Sequence, residues 1–303
     1  MEKYIRKLSL LGLINLLIVY VLWSSTFLAI RVAVIGQDGI PPFLMGTGRM
    51  FVAGVSLLII GYLNKHRLKP SKQEVIVIIT SSLLIWGGGT ALLTWGMQHV
   101  QSVVAALITA SVPIFVAVVN AILKREFPSL LLTSSLLLGF CGLSTIVWPS
   151  LVNGKSTEMA ALLAVVCSAI LCAVGFAIQS RFTVTLSAQI FSGYQLLAAS
   201  SIFGSLMLFN HESLPQISFV ALLAWGYLTV TTGLGVMAFA YILKLLPINI
   251  AMTYAYVNPV LALFWGWLIL KEQVLIATLL GAVMVILAVI GVFKDRIKIS
   301  AKN

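Results

Sequence analysis

Arg49 is the residue of this chain whose position most clearly suggests chemistry. The uncharged run that follows it, Met50 to Asn64, has 15 residues, whereas a helix needs about 20 to cross an apolar layer about 30 Å thick. The helix must therefore begin earlier, near Phe43, which places Arg49 roughly 9 Å inside it. The guanidinium could bind a carboxylate or backbone carbonyls that line a cavity. It could instead reach the membrane interface and only anchor the helix.

A second set of candidates surrounds two prolines. Tyr254 and Asn258 have i, i+4 spacing, so they share one face of a helix, and they come just before Pro259. Proline lacks an N–H, which frees a carbonyl on the preceding turn for hydrogen bonding. Pro113, preceded by Thr109, occupies the equivalent place in the first half of the chain. The two helices could supply a binding site near mid-membrane, or the prolines could simply kink helices that pack together.

Two tryptophans and a threonine are weaker candidates for substrate contact. Trp23 and Thr26 lie in the first apolar stretch, and Trp86 lies in the third. Trp86 is followed by Gly87, Gly88 and Gly89, and a glycine cluster more often permits close helix contact than ligand binding. Other aromatic residues near helix ends are expected to anchor the protein at the membrane interfaces.

The middle of the apolar stretches holds no acidic residue. Glu126 and Glu272 fall at predicted helix exits, where they could act as caps that pair with Lys124 or Lys271. The three histidines fall in loops, and the three cysteines have neither disulfide nor metal-ligand spacing. No catalytic motif is found. We therefore predict no metal, no cofactor and no enzymatic activity.

The elements that position these residues are membrane-spanning helices. The chain is 60% hydrophobic and 9% charged, far from the composition of a soluble domain, where about 25% of residues are charged. Nine uncharged runs separate the ionisable residues, and the run from Val75 to Leu123 is long enough to cross twice, with a turn near Gln98 to Ser102. The prediction is an all-α membrane protein with ten transmembrane helices.

The distribution of positive charge predicts the orientation. With ten spans, the segments on the side of the termini carry 15 of the 19 basic residues: Lys3, Arg6, Lys7, Lys65, Arg67, Lys69, Lys72, Lys124, Arg125, Arg181, Lys244, Lys294, Arg296, Lys298 and Lys302. Because cytoplasmic loops carry the excess of lysine and arginine, both termini are predicted to be cytoplasmic. The net charge of +11 is thus explained by topology, and no basic strip with interleaved aromatic residues remains for nucleic acid.

The sequence also repeats itself at a fixed offset. Pro113 precedes Glu126 by thirteen residues, and Pro259 precedes Glu272 by the same distance, so the two copies lie 146 residues apart. Each half then contains five spans. Since five is odd, the second half enters the membrane from the opposite side, which predicts two inverted five-helix repeats covering residues 1–154 and 155–303. In such repeats a substrate binds near the midplane.

These features together resemble the EamA-type transporters of the drug/metabolite transporter superfamily. The segments that carry the resemblance are Leu22 to Arg31, Pro42 to Arg49, Ala105 to Glu126, Ala255 to Glu272 and Leu280 to Ala282. The resemblance covers essentially the whole chain. It implies a multi-pass carrier of the inner membrane with a central cavity, which exports small metabolites such as amino acids or related amphipathic solutes by alternating access.

Two other functions stay open at this point. A proton-coupled multidrug exporter would be favoured by a cavity-facing acid in mid-span, which the sequence does not offer, so a facilitative carrier or coupling through the solute's own charge is the simpler expectation. A non-transporting membrane assembly protein is the second alternative, although inverted repeats have no clear use there. The expected partners are a small-molecule substrate and the lipid bilayer, and the sequence does not indicate an oligomeric state.

Overall fold

The computed structural model describes residues 10–125, 129–153, 156–213, 216–246, 248–251 and 253–300. The described chain forms ten apolar helices. Nine of these are long and apolar enough to cross a membrane, and the tenth, α9, is a shorter apolar helix. Their bounds are α1 Leu10–Val34, α2 Pro42–Leu63, α3 Lys72–Gly96, α4 Ser102–Ala110 continued by Val112–Lys124, α5 Leu130–Asn153, α6 Ser156–Gln179, α7 Ala188–Phe209, α8 Phe219–Leu245, α9 Tyr254–Leu270 and α10 Ile276–Ser300.

The predicted fold class is confirmed, including the turn that divides the run from Val75 to Leu123. The boundary predicted after residue 154 falls outside the described residues, as does Glu126, so the division into residues 1–154 and 155–303 stays a prediction.

Local signals explain where several helices begin. Pro42 opens α2, where a missing N–H costs nothing. Ser71 and Glu74 form a reciprocal capping box at the start of α3. The hydroxyls of Ser187 and Ser218 accept backbone N–H bonds at the starts of α7 and α8.

Two antiparallel pairs of helices, each with one member from each half, pack closely along their length. In the α2–α7 pair, Gly54 and Gly193 face each other, and a Cβ atom on either glycine would lie 3.1 or 3.2 Å from the carbonyl oxygen of the other. In the α5–α10 pair, Gly142 and Gly281 make the same reciprocal approach. Small residues are what allow membrane helices to pack at such short distances.

The two halves are interlocked rather than side by side. Helix α1 packs mainly against α8 and α9 of the second half, and α6 packs mainly against α3 and α4 of the first half. A contact near the start of α1 shows its direction, because a Cβ on Gly12 would touch Leu246 beyond the end of α8. The first helix of each half therefore packs against helices of the other half.

We name the two ends of the bundle by α1: face A is where α1 begins and face B is where it ends. Near face B, Arg31 Nη1 of α1 donates to the carbonyl oxygen of Met97 beyond α3, with a distance of 2.6 Å. Helices α2, α4 and α8 therefore begin at face B, whereas α3, α7 and α9 begin at face A. The assignment of face A to the cytoplasm is the prediction made from charge.

Helices α4 and α3 depart from regular α geometry, and α9 contains an internal proline. Helix α4 is interrupted at Ser111, and Pro113 lies in the first turn of its second segment. Pro259 instead lies inside the continuous helix α9, which follows a short helical turn at Ile248–Ala251. The middle of α3, Ser82–Thr90, is π-helical. Irregular backbone of this kind in a membrane helix is tolerated only where neighbouring protein or a cavity satisfies it.

Candidate functional site

Arg49 points into the bundle. The residue is 5% exposed, and its Nε donates a 2.8 Å hydrogen bond to the hydroxyl of Thr232 in the middle of α8. The Nη1 atom is buried and has no hydrogen-bond partner among the described residues. Of the two positions that the sequence left open, the structure therefore shows the inward one, since a side chain that reached the membrane interface would not contact Thr232.

An aromatic cluster lies further along α8, toward face A. The rings of Trp23, Phe239 and Tyr254 contact one another, with centroid distances of 5.1 Å, 4.9 Å and 5.3 Å. The cluster joins α1, α8 and α9, and its edge-to-face contacts are the arrangement that aromatic rings prefer. Gly235 makes room for it, because a Cβ there would lie 2.4 Å from the indole nitrogen of Trp23.

Asn258 lies one helical turn beyond Tyr254. Its side chain is buried, with 9% of the residue exposed, and its Oδ1 atom has no hydrogen-bond partner in the described part of the chain. A buried amide oxygen without a partner costs about 1–3 kcal/mol, so a donor from another molecule would stabilise it. Asn258 and Arg49 thus share an unusual property, which is a buried polar atom without a partner among the residues that the structure describes.

A continuous set of contacts connects these two residues. Arg49 bonds Thr232, and Gly235, which receives Trp23, lies three residues further along α8. Helical residues three apart are neighbours on one face. Trp23 then contacts Tyr254, which shares its face of α9 with Asn258.

Hydrogen bonds also join α1 to α9 and to Thr253, the residue just before α9. The indole nitrogen of Trp265 donates to the hydroxyl of Ser24, with a distance of 3.1 Å, and Ser24 is fully buried. Tyr20 and Thr253 are joined by a hydrogen bond of 2.5 Å. These contacts fix the position of the α9 face on which Tyr254 and Asn258 lie.

Thr26, Thr109 and Pro113 were also predicted as candidates for substrate contact. Thr26 and Thr109 are half-buried, and each hydroxyl donates to a carbonyl of its own helix, of Leu22 and Ala105 respectively. Pro113 is half-buried in α4. Helix α9 packs against the first segment of α4, and a common site of Thr109 and Pro113 with Tyr254, Asn258 and Pro259 stays a prediction.

Trp86 packs against the apolar cluster between α2 and α7 that contains Met50 and Leu196. The three glycines after it serve helix packing, as the sequence suggested. A Cβ on Gly87 would lie 2.7 Å from Ile202 of α7, and one on Gly89 would lie 2.4 Å from Cys172 of α6.

Thr232, Gly235 and Phe239, all in α8, are site residues that were not predicted from the sequence. A signal existed, since Thr229, Thr231 and Thr232 form a polar group in the middle of an apolar helix. A polar residue in such a place usually contacts the bundle interior, but the sequence does not say which helix it meets. Within the described ranges, no group of three histidine, cysteine, aspartate or glutamate residues could hold a metal ion.

The arrangement defines a multi-span membrane protein in which two five-helix repeats of opposite orientation enclose buried polar atoms. A family model described as the EamA-like transporter family matches residues 10–148 and again residues 159–294. The chain belongs to this family, which is part of the drug/metabolite transporter superfamily, and the predicted resemblance is confirmed.

Individual relatives agree with this assignment. The chain is 28% identical to the uncharacterized transporter YoaV of Bacillus subtilis, over 97% of this chain and 98% of that protein. It is 29% identical to the uncharacterized inner membrane transporter YedA of Escherichia coli K12, over 82% of this chain and 79% of YedA. A solved structure described only as a crystal structure of a protein shares the fold, with a TM-score of 0.64 at 14% identity, over 93% of this chain and 96% of that one. The protein is therefore a membrane transporter, whose substrate is a small molecule.

Proposed function

We propose that this protein is a carrier for small carboxylate-bearing solutes, such as amino acids or related amphipathic metabolites, which it exports by alternating access. Under this proposal it is a carrier and not an enzyme, it lies in the inner membrane, and both termini are cytoplasmic. The observation that carries the proposal is the buried Nη1 atom of Arg49, which has no hydrogen-bond partner in the described ranges.

The physical argument concerns the cost of a buried charge. A cation in a membrane interior is strongly unfavourable unless it is paired. In the part of the chain that the structure describes, no acidic side chain is seen to pair with Arg49. The ion pair observed there is between Arg67 and Glu74. Thr232 holds Nε of Arg49, so the Nη edge of the guanidinium is left for a planar anion. Arginine binds carboxylates through such an edge with two parallel hydrogen bonds.

The residues around Arg49 support the amphipathic part of the proposal. The ring cluster of Trp23, Phe239 and Tyr254 offers an apolar wall, and Asn258 Oδ1 offers an acceptor for an N–H or O–H donor of the solute. A molecule with a carboxylate, a hydrogen-bond donor and an apolar body would match all three. Simple amphipathic cations would not match, because they would meet the positive charge of Arg49.

The test is a thermal-shift screen of the purified protein in detergent. Amino acids and hydroxy acids are compared with their methyl esters and with amphipathic cations. A ligand at one hundred times its Kd stabilises the folded state by about 2.7 kcal/mol, so we expect the carboxylates to raise the Tm by about 5 °C and the esters to have no effect.

Two variants make the screen specific for Arg49. Arg49→Gln should fold but show no shift with carboxylates, and Arg49→Lys should show a reduced shift, because the ammonium keeps the charge without the planar fork. Stabilisation by amphipathic cations alone, or an undiminished carboxylate shift in Arg49→Gln, would contradict the proposed substrate class.

A further inference from the structure

The carboxylate of Glu272 lies where α9 ends at face B, and it contacts a helix of the other half. Its Oε1 accepts a 2.8 Å bond from the backbone N–H of Ser102, the first residue of α4. Its Oε2 accepts bonds from the Ser102 hydroxyl at 2.9 Å and from the Val103 N–H at 3.1 Å. The residue is 9% exposed. The sequence offered pairing with Lys271, whereas the structure shows Glu272 capping another helix.

The electrostatics of this contact are favourable without a direct ion pair. The first N–H groups of a helix have no partner within the helix and carry part of the positive end of its dipole, so an anion there is stabilised. Arg31 of α1 also interacts electrostatically with Glu272. Hydrogen bonds to an ionised acceptor are roughly twice as strong as neutral ones.

The backbone around Glu272 is shaped for this contact. Lys271 adopts a left-handed conformation with φ 53°, which ends α9, and the Glu272 N–H returns to the Gly266 carbonyl oxygen with a distance of 3.2 Å. Gly266 leaves the space that the carboxylate needs, since a Cβ there would lie 2.7 Å from Glu272 Oε2 and 3.0 Å from Ser102 Oγ. The close approach of α9 to α4 therefore depends on both residues.

We infer that Glu272 is a latch that holds α9 against α4 at face B and that must be released when this face opens. The inference rests on the proposed alternating access, because a closed face is useful only if it can open. When α4 and α9 separate at face B, the carboxylate must leave three donors at once. A depression of about 420 Å³, lined by Trp267, Lys271, Glu272, Gln273 and Val274, then gives water access to the released carboxylate.

The chain supplies a matched control at the same face. Glu212, after α7, accepts backbone N–H bonds from Phe43 at 3.1 Å and Leu44 at 2.7 Å, in the first turn of α2. It is thus the same side chain in the same kind of helix-capping contact. The difference is that α2 is packed against α7 along its length, from Gly46 against Phe203 to Gly61 against Ile190, so loss of this cap does not free a helix.

The experiment measures how fast a cysteine that replaces Thr109 is labelled. Thr109 lies in α4, between the Glu272 contact at Ser102 and mid-membrane. The measurement does not require transport. The native cysteines Cys141, Cys167 and Cys172 are replaced by alanine, and the rate of modification by a membrane-impermeant methanethiosulfonate is measured in vesicles of both orientations. Glu272→Gln places an amide NH2 against the N–H groups of α4. We expect this variant to raise the labelling rate from face B about tenfold, as for a change of one hydrogen bond, and not from face A.

Further variants separate a latch from general loosening. Glu272→Asp keeps the charge but shortens the side chain, and should also raise labelling from face B. Ser102→Ala removes one donor and should give a smaller increase, which serves as the deciding variant if Glu272→Gln does not fold. Glu212→Gln should leave the rate unchanged.

An unchanged rate in Glu272→Gln and Ser102→Ala, an equal rise from both faces, or an equal rise in Glu212→Gln would overturn the latch. Failure of the carboxylate screen, with one-sided labelling retained, would instead overturn the proposed substrate and leave the latch.

Discussion

Arg125 and Lys271 have the same backbone conformation at positions 146 residues apart. Both have left-handed φ angles, 55° and 53°, and each directly follows the last residue of its helix, Lys124 in α4 and Leu270 in α9. Non-glycine residues seldom adopt this conformation, and helices commonly end on it. A second pair, Lys65 and His211, shows φ angles of 57° and 51° at the same offset. The 146-residue repeat that the sequence shows in two Pro–Glu pairs therefore also appears in the backbone conformation.

The pair Lys65 and His211 allows a direct test of orientation. Both residues are exposed and follow equivalent helices, but they lie at opposite ends of the bundle. Because the segments on the side of the termini carry the basic residues, we expect a cysteine at Lys65 to be labelled from the cytoplasm and one at His211 from outside. Both substitutions meet the same left-handed backbone, so strain does not distinguish them. Labelling of His211→Cys only from the cytoplasmic side of intact cells would show the reverse orientation.

Thr232 should determine how well Arg49 binds its solute. Thr232→Val removes the acceptor of the Arg49 Nε bond, so the guanidinium loses a fixed orientation. We expect the affinity for carboxylate solutes to fall about ten- to a hundredfold, since a hydrogen bond to a charged group contributes roughly 1.5–3 kcal/mol. Thr231→Val is the matched control, because Thr231 is equally buried but its hydroxyl bonds only the Leu228 carbonyl among the contacts described. Equal losses in the two variants would exclude a specific role for Thr232.

Asn258 should matter more for transport than Asn120, although both are amides in the fourth helix of a half. Asn258 has a buried Oδ1 atom without a partner in the part of the chain that the structure describes, whereas Asn120 is half-buried in the second segment of α4, toward face A. We expect Asn258→Ala to reduce affinity about five- to a hundredfold, which corresponds to roughly 1–3 kcal/mol. Uptake into proteoliposomes at matched protein levels measures this difference. Wild-type activity in Asn258→Ala would remove Asn258 from the site.

Transport is expected not to depend on the proton gradient. Glu74, Glu212 and Glu272 lie at helix ends, where they accept backbone N–H bonds. Asp295, which accepts a bond from the Ser129 hydroxyl, lies close to the face A end of α10. A proton-coupling acid needs instead a mid-span position in which it can be alternately protonated. Uphill export that collapses when an uncoupler is added, with the membrane potential clamped, would show proton coupling and favour the multidrug alternative.

Gly46 should be essential for the packing of α2 on α7. A Cβ on Gly46 would lie 2.1 Å from the Phe203 ring, which is fully buried, whereas a Cβ on Gly226 of α8 would meet nothing within 4 Å. We expect Gly46→Ala to lower the Tm of the detergent-solubilised protein by several degrees, because overpacking costs about 1–3 kcal/mol. Gly226→Ala should raise the Tm slightly, by the helix propensity of alanine. Phe203→Leu should restore part of the loss in Gly46→Ala, and no rescue would mean that the clash is not the cause.

The sequence predicted the helices and the depth of Arg49 because both follow from the number of residues that a helix needs to cross a bilayer. The thickness of a bilayer fixes the length of a span, so an uncharged run of 15 residues after Arg49 had to be extended on its N-terminal side. The partner of Arg49 could not be predicted in this way, since Thr232 lies 183 positions further along the chain. The exchange of α1 and α6 was likewise not predicted. Lipid-facing and helix-facing surfaces are both apolar, so hydropathy does not say which helices will meet.

The exchange of first helices has a consequence for synthesis. Helix α1 is made long before its partners, because the residues that cover Gly12 are Leu245 and Leu246, more than 200 residues later. At a synthesis rate of about 5–20 residues per second, the ribosome reaches the end of α8 roughly 10 to 50 seconds after it has made the start of α1. Helix α1 must therefore be stable alone as a single span, and its length of 25 residues allows this because a lone helix in lipid satisfies its own backbone hydrogen bonds. The native bundle can form only after α8 and α9 have been inserted, so a nascent chain that stops before them leaves α1 without the surface on which it belongs.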